Sequence, residues 1–79
     1  MTEDQKAISL VLDLLHASKS IPRTFAWLET EVKLAGRRCE LPAIIEQMTD
    51  AKLIASERDA LRIRRYTLTP AGRDALDNI

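Results

Sequence analysis

Cysteine and histidine each occur only once among the 79 residues of this sequence, as Cys39 and His16. One cysteine excludes an intramolecular disulfide, and the two side chains together fall short of the three or four ligands of a zinc site. The sequence therefore predicts neither a metal nor another cofactor. The shortage of cysteine also fits a reducing cytoplasm, which is the localisation we expect.

Long apolar runs and a basic amino terminus are also lacking. Thr2, Glu3 and Asp4 follow the first residue, and no apolar stretch approaches the length of a signal core or a membrane span. We expect neither secretion nor a membrane partner.

Net charge is lacking too, since the chain has 12 basic and 12 acidic residues. This balance argues against a nucleic-acid binder held by bulk electrostatics. Any binding to DNA must come from local clusters of cations.

Motifs for catalysis are missing. The sequence has no glycine-rich phosphate loop, no Ser-His-Asp set and no carboxylate-histidine metal pattern. Cys39 follows Arg37 and Arg38, a setting that lowers a thiol pKa and allows redox sensing. The alternative is a half-buried structural cysteine. We expect no enzyme activity.

An ordered domain is nevertheless indicated, because 46% of the residues are hydrophobic and 30% are charged. We expect a single domain over residues 1–79. Thr2 and Gln5 form a capping-box pattern for a first helix from about Glu3 to Ala17. Leu10 and Leu14 lie beside its core stripe and widen the apolar arc, which predicts contact with a second subunit in a homodimer.

A connection from Ser18 to Arg23 leads to a second helix capped by Thr24 and ended by Gly36. Trp27 and Leu34 project to a different side from its core stripe. They form either a ridge packed under the hairpin that follows or a contact with a partner.

A third helix begins near Glu40, with Pro42 in its first turn. Its buried stripe and its outward face are predicted from the helical period. The stripe consists of Leu41, Ile44, Ile45 and Met48, and the outward face of Ala43, Glu46, Gln47 and Asp50. The outward face is net negative.

A β-hairpin follows the third helix. Leu53 and Ile54 open its first strand, Glu57 to Ala60 supply the turn, and Leu61 to Thr69 alternate as the second strand. The alternation changes parity after Ile63, which predicts a bulge at Arg64 and Arg65. A closing helix capped by Thr69 presents Ala75, Leu76 and Ile79 to the first helix.

The segment from Ala51 to Leu76, AKLIASERDALRIRRYTLTPAGRDAL, resembles the wing and closing helix of the MarR-like and PadR-like regulators. The matching positions are Leu53, Ile54, Tyr66, Leu68, Thr69, Gly72 and Arg73. A weaker resemblance links the chain to small winged-helix proteins of Mu-like prophages. The resemblance implies a mainly α fold with a small β-hairpin, a winged helix-turn-helix of three helices, a two-stranded wing and a short C-terminal helix.

The resemblance also implies a transcriptional regulator that binds double-stranded DNA. Arginines flank the third helix on both sides, which would allow them to hold phosphates or enter a minor groove. We expect DNA contacts from Arg37, Arg38, Gln47, Arg62, Arg64 and Arg65. Gln47 would face the bases.

Two alternatives remain open at this point. The wing arginines could pair with Glu57, Asp59 and other carboxylates, where charges only protect an edge strand. The domain could instead bind another protein without binding DNA. Its acidic third helix would then face a basic partner, and apolar contacts would come from Leu10, Leu14, Trp27 and Leu34.

Overall fold

The computed structural model describes residues 2–19 and 21–77, which form an α+β fold. The helices are α1 (Glu3–Ala17), α2 (Phe25–Leu34), α3 (Leu41–Asp50) and α4 (Pro70–Asp77). The strands are β1 (Arg23–Thr24), β2 (Ile54–Arg58) and β3 (Arg64–Leu68). They form one antiparallel sheet with β3 in the middle. No described helix combines the length and the apolar character needed to span a membrane.

Capping contacts confirm the predicted starts of α1 and α2, and the backbone confirms the predicted glycine stop of α2. Thr2 and Gln5 form the reciprocal capping box of α1. Thr24 accepts a hydrogen bond from the Trp27 N–H at the start of α2. Gly36, with φ 74°, takes the left-handed conformation directly after the α2 C-cap. Local side-chain chemistry therefore decides where these helices start and stop.

The core lies where α1, α2 and α3 pack against the sheet. The predicted stripe of α3 is buried in full, together with Leu28 and Val32 of α2 and with Ile54 and Tyr66 of the sheet. Leu10 and Leu14 are half-buried and pack against this core. Packing within the chain thus accounts for part of the wide apolar arc of α1, and the homodimer stays a prediction.

The sheet has one strand more than the predicted hairpin. Arg23 pairs with Tyr66 and Thr24 with Arg65, so the end of the expected connection forms β1. Two residues are too few to show an alternating pattern, and only the position of β3 makes them a strand.

The predicted bulge at Arg64 and Arg65 is wrong. Strands β2 and β3 pair without interruption from Ile54 opposite Leu68 to Arg58 opposite Arg64. The parity changes because residues 61 to 63 belong to the turn and not to the strand. The turn therefore starts later than predicted, after Arg58.

Helix α4 begins at the predicted cap. The Thr69 hydroxyl accepts from the Gly72 N–H at 3.0 Å and donates to the Lys52 carbonyl oxygen at 2.6 Å. It therefore joins the start of α4 to the end of α3. Ala75 and Leu76 are half-buried against the core, whereas Ile79 lies outside the described residues.

Gly72→Ala tests the close approach of α4 to the chain after α3. A Cβ at this position would collide with the backbone carbonyl of Leu53 and crowd the Leu68 side chain. We expect a loss of about 1–3 kcal/mol in the free energy of unfolding, typical of overpacking. Urea denaturation measures it. Ala71→Ser, at an exposed neighbour, should change stability by no more than about 0.5 kcal/mol. Equal stability of the Gly72 variant and the parent would contradict the packing described.

Candidate nucleic-acid interface

The outward face of α3 is present as predicted. Ala43, Glu46, Gln47 and Asp50 are all exposed. Two of these four side chains are carboxylates, and none is a cation. The face therefore offers Gln47 for hydrogen bonding to a base edge but no charge that attracts a phosphate.

A groove separates α3 from the β2–β3 hairpin. It is lined by Phe25, Pro42, Ile45, Glu46, Thr49, Asp50, Ser56, Arg64 and Tyr66. Arg64 reaches it from the sheet, whereas Glu46 and Asp50 reach it from the helix. One cation and two carboxylates therefore line this groove.

Arg64 and Arg65 lie on opposite faces of β3, because successive strand residues alternate. Arg64 shares the α3 side of the sheet with Tyr66 and is exposed. Arg65 is half-buried on the other side, and its Nε donates to the Asp59 Oδ2 at 3.0 Å. The two arginines that the sequence places together therefore have different surroundings.

Asp59 organises the turn between β2 and β3. Its Oδ1 accepts from the Leu61 N–H at 2.9 Å and from the Ile63 N–H at 3.0 Å. The Arg65 side chain and these backbone donors hold the pKa of the Asp59 carboxyl below its ordinary value, and the hydrogen bond from Arg65 contributes most. The sequence predicts Asp59 only as a turn former and as an ion-pair partner.

Besides Arg64, the exposed end of the hairpin carries Arg58 and Arg62. Arg58 lies opposite Arg64 in the register, and Arg62 occupies the turn with φ 62°. The Asp59 N–H donates to the Ile63 carbonyl oxygen, so residues 60 to 62 form a three-residue loop and Arg62 is its last position. A left-handed conformation is uncommon for a residue with a Cβ, and hairpins with such loops favour glycine at this position. Among residues 2–19 and 21–77, none of these three arginines forms an ion pair.

Arg37 and Arg38 lie in the turn before α3, and both are exposed. The Arg37 Nη1 is 3.9 Å from the Glu3 Oε2, a distance at the limit of an ion pair. Arg38 forms no ion pair with the described residues. Both guanidinium groups therefore remain accessible beside the first turn of α3.

The predicted lowering of the Cys39 pKa is wrong. Burial raises the pKa of the thiol, and the carboxylates of Asp4 and Glu3 raise it further. The arginines that precede Cys39 in sequence do not lower its pKa, because folding half-buries the thiol and brings the acidic start of α1 to this turn. Cys39 is half-buried, which agrees with the structural alternative.

Trp27 and Leu34 have different surroundings. Trp27 is half-buried against the core, with the Arg23 guanidinium 4.4 Å from its ring centroid. Arg23 also donates from Nε to the Ser18 Oγ at 2.9 Å. Leu34 is 77% exposed. The sequence does not predict the stacking of Arg23 on Trp27, because it places Arg23 in a connection and not in a strand.

No group of three or more histidine, cysteine or acidic side chains able to hold a metal ion occurs within the part of the chain that the structure describes. Comparison with family models, with curated proteins and with solved structures finds no match.

The Asp59 contacts predict an acid transition in the hairpin turn. A lowered pKa in the folded state stabilises the fold above the pKa of an unfolded aspartate, about 3.9, and this contribution is lost as the pH falls through the lower folded value. The amide NMR signals of Leu61 and Ile63 should shift with pH, and the midpoint of this shift should lie below the ordinary pKa of an aspartate side chain. Arg65→Ala should raise that midpoint, since it removes the strongest donor. An unchanged midpoint would contradict the assignment.

Cys39 should react slowly with an alkylating reagent at mildly alkaline pH, because a raised pKa leaves less thiolate. The labelling rate, followed by mass spectrometry, should be lower in the folded chain than in urea. Asp4→Asn should increase the rate by removing one of the carboxylates. Asp13→Asn, on an exposed position of the same helix, serves as the control and should not change it. Faster labelling of the folded parent would disprove the raised pKa.

Proposed function

We propose that the protein is a winged-helix DNA-binding domain that acts as a small transcriptional regulator. In this proposal the β2–β3 hairpin is the wing and α3 is the recognition helix. The order of the helices and the hairpin supports it, as does the pairing of β1 with β3, which joins the wing to the start of α2.

The observation that carries the proposal is the cluster of unpaired arginines at the exposed end of the hairpin. Arg58 and Arg64 pair at the end of the two strands, Arg62 lies in the turn between them, and none of the three forms an ion pair with the described residues. Arg64 also lines the groove beside α3. Their charges are available to phosphates although the whole chain has no net charge.

The proposed contacts divide between the wing and α3. Arg62 and Arg64 bind phosphates or enter the minor groove, and Arg37 and Arg38 bind the backbone near the first turn of α3. Gln47 contacts a base edge in the major groove. Arg65 contributes indirectly, since its guanidinium donates to Asp59 and orders the turn.

A second candidate function is binding of a basic protein partner. It is favoured by the exposed carboxylates of Glu46 and Asp50, which line the groove together with Arg64. Two carboxylates facing phosphates would weaken DNA binding, whereas they complement lysine and arginine side chains. Exposed Leu34 would add apolar area to such an interface.

Single substitutions separate DNA binding from the binding of a protein partner. Arg64→Ala should weaken binding to every DNA duplex and reduce the slope of log affinity against log salt concentration by about one, as expected for one lost phosphate contact. Arg73→Ala removes the same charge from an exposed position of α4 and should leave the slope unchanged.

Gln47→Ala should reduce only the preference for the cognate site, by about 1–3 kcal/mol. Fluorescence anisotropy at several salt concentrations provides the measurement.

Two results would count against DNA binding. One is an Arg64→Ala variant with an intact circular dichroism spectrum and the affinity and salt slope of the parent. The other is a parent protein that binds no duplex at low salt, which would leave the protein partner as the function.

A further inference from the structure

The tip of the hairpin exposes large aliphatic side chains. Leu61 is 78% exposed and Ile63 is 41% exposed. Turns normally present glycine, asparagine, aspartate or serine to solvent, for reasons of backbone conformation and hydrogen bonding. Nothing in the packing of the described core accounts for a leucine at this position, because its side chain points away from the core.

Four backbone N–H groups of the same turn find their hydrogen-bond acceptors within the hairpin. The N–H groups of Leu61 and Ile63 donate to the Asp59 carboxylate, and the Arg62 N–H donates to the Asp59 carbonyl oxygen at 2.9 Å. The Asp59 N–H donates to the Ile63 carbonyl oxygen at 3.1 Å. Entering a space without water would therefore leave none of these four donors unsatisfied.

The charges around the tip identify the kind of partner. Exposed Arg58, Arg62 and Arg64 surround Leu61 along the chain, and the carboxylate of Asp59 is already engaged by Arg65. An exposed apolar side chain with arginines before and after it in the chain complements a ligand that is polyanionic outside and apolar inside. Double-stranded DNA has this character, with phosphates outside and stacked bases inside.

We propose that Leu61 is a wedge that inserts between adjacent base pairs from the minor groove and opens the stack there. This inference rests on the proposed DNA binding. Leucine is one of the apolar side chains that proteins use to unstack and kink DNA from this groove. The neighbouring arginines would hold the phosphates on both sides of the opened step. Pyrimidine–purine steps, which kink easily, would be preferred.

A duplex with a small internal bulge tests the wedge, because its bases are already unstacked at one place. The parent protein should bind the bulged duplex about tenfold more tightly than the same duplex without the bulge, since insertion no longer has to break stacking. Leu61→Ala should bind both duplexes equally. Leu34→Ala removes a leucine with a matched exposure of 77% from α2 and should keep the preference.

Fluorescence of 2-aminopurine beside a TA step in the intact duplex gives an independent measurement. The signal should rise when the parent or the Leu34→Ala variant binds, and stay low with Leu61→Ala. Circular dichroism checks that each variant is folded.

The outcomes distinguish this inference from the function on which it rests. Tight binding of both duplexes by the parent without any preference would overturn the wedge and leave DNA binding intact. Loss of the preference in both leucine variants would also overturn it, because the effect would then not be specific to the tip. Absence of binding to either duplex would overturn both proposals.

Discussion

The pairing of β3 with strands on both of its sides is the constraint on which the rest of the structure depends. β1 precedes α2 and β2 follows α3, so the central strand joins two parts of the chain that are distant in sequence. Tyr66 lies at the middle of β3, is buried in the core, and pairs with both Arg23 and Ser56. Loss of this pairing would release the hairpin from the helices and remove the groove beside α3.

Asp59 has a corresponding role at the other end of the hairpin. One carboxylate accepts two backbone N–H groups and one guanidinium, so a single side chain orders the turn and engages Arg65. The arginines that remain, Arg58, Arg62 and Arg64, are exposed. A chain without net charge can thus present a local excess of positive charge, which is the physical basis of the proposed interface.

Much of the fold could be predicted from the sequence because it depends on contacts that are near in the chain. Capping residues such as Thr2 and Thr24, the glycine after α2 and the helical period of the α3 stripe all act within a few residues. The same local rules predicted an exposed acidic face on α3. They misplaced the turn, because the parity of Leu61 and Ile63 is compatible with a strand as well as with exposed loop positions.

The sequence by itself therefore determined the helices, their caps, the buried stripe of α3 and the presence of a hairpin. Tertiary structure decided the two-residue strand β1, the separate surroundings of Arg64 and Arg65, and the pKa of Cys39. The physical reason is the same in each case. A strand exists only where another strand can receive its hydrogen bonds, and the electrostatic surroundings of a side chain depend on which distant residues folding brings near it. The acidic start of α1 beside Cys39 is such a neighbour, and no local pattern reveals it.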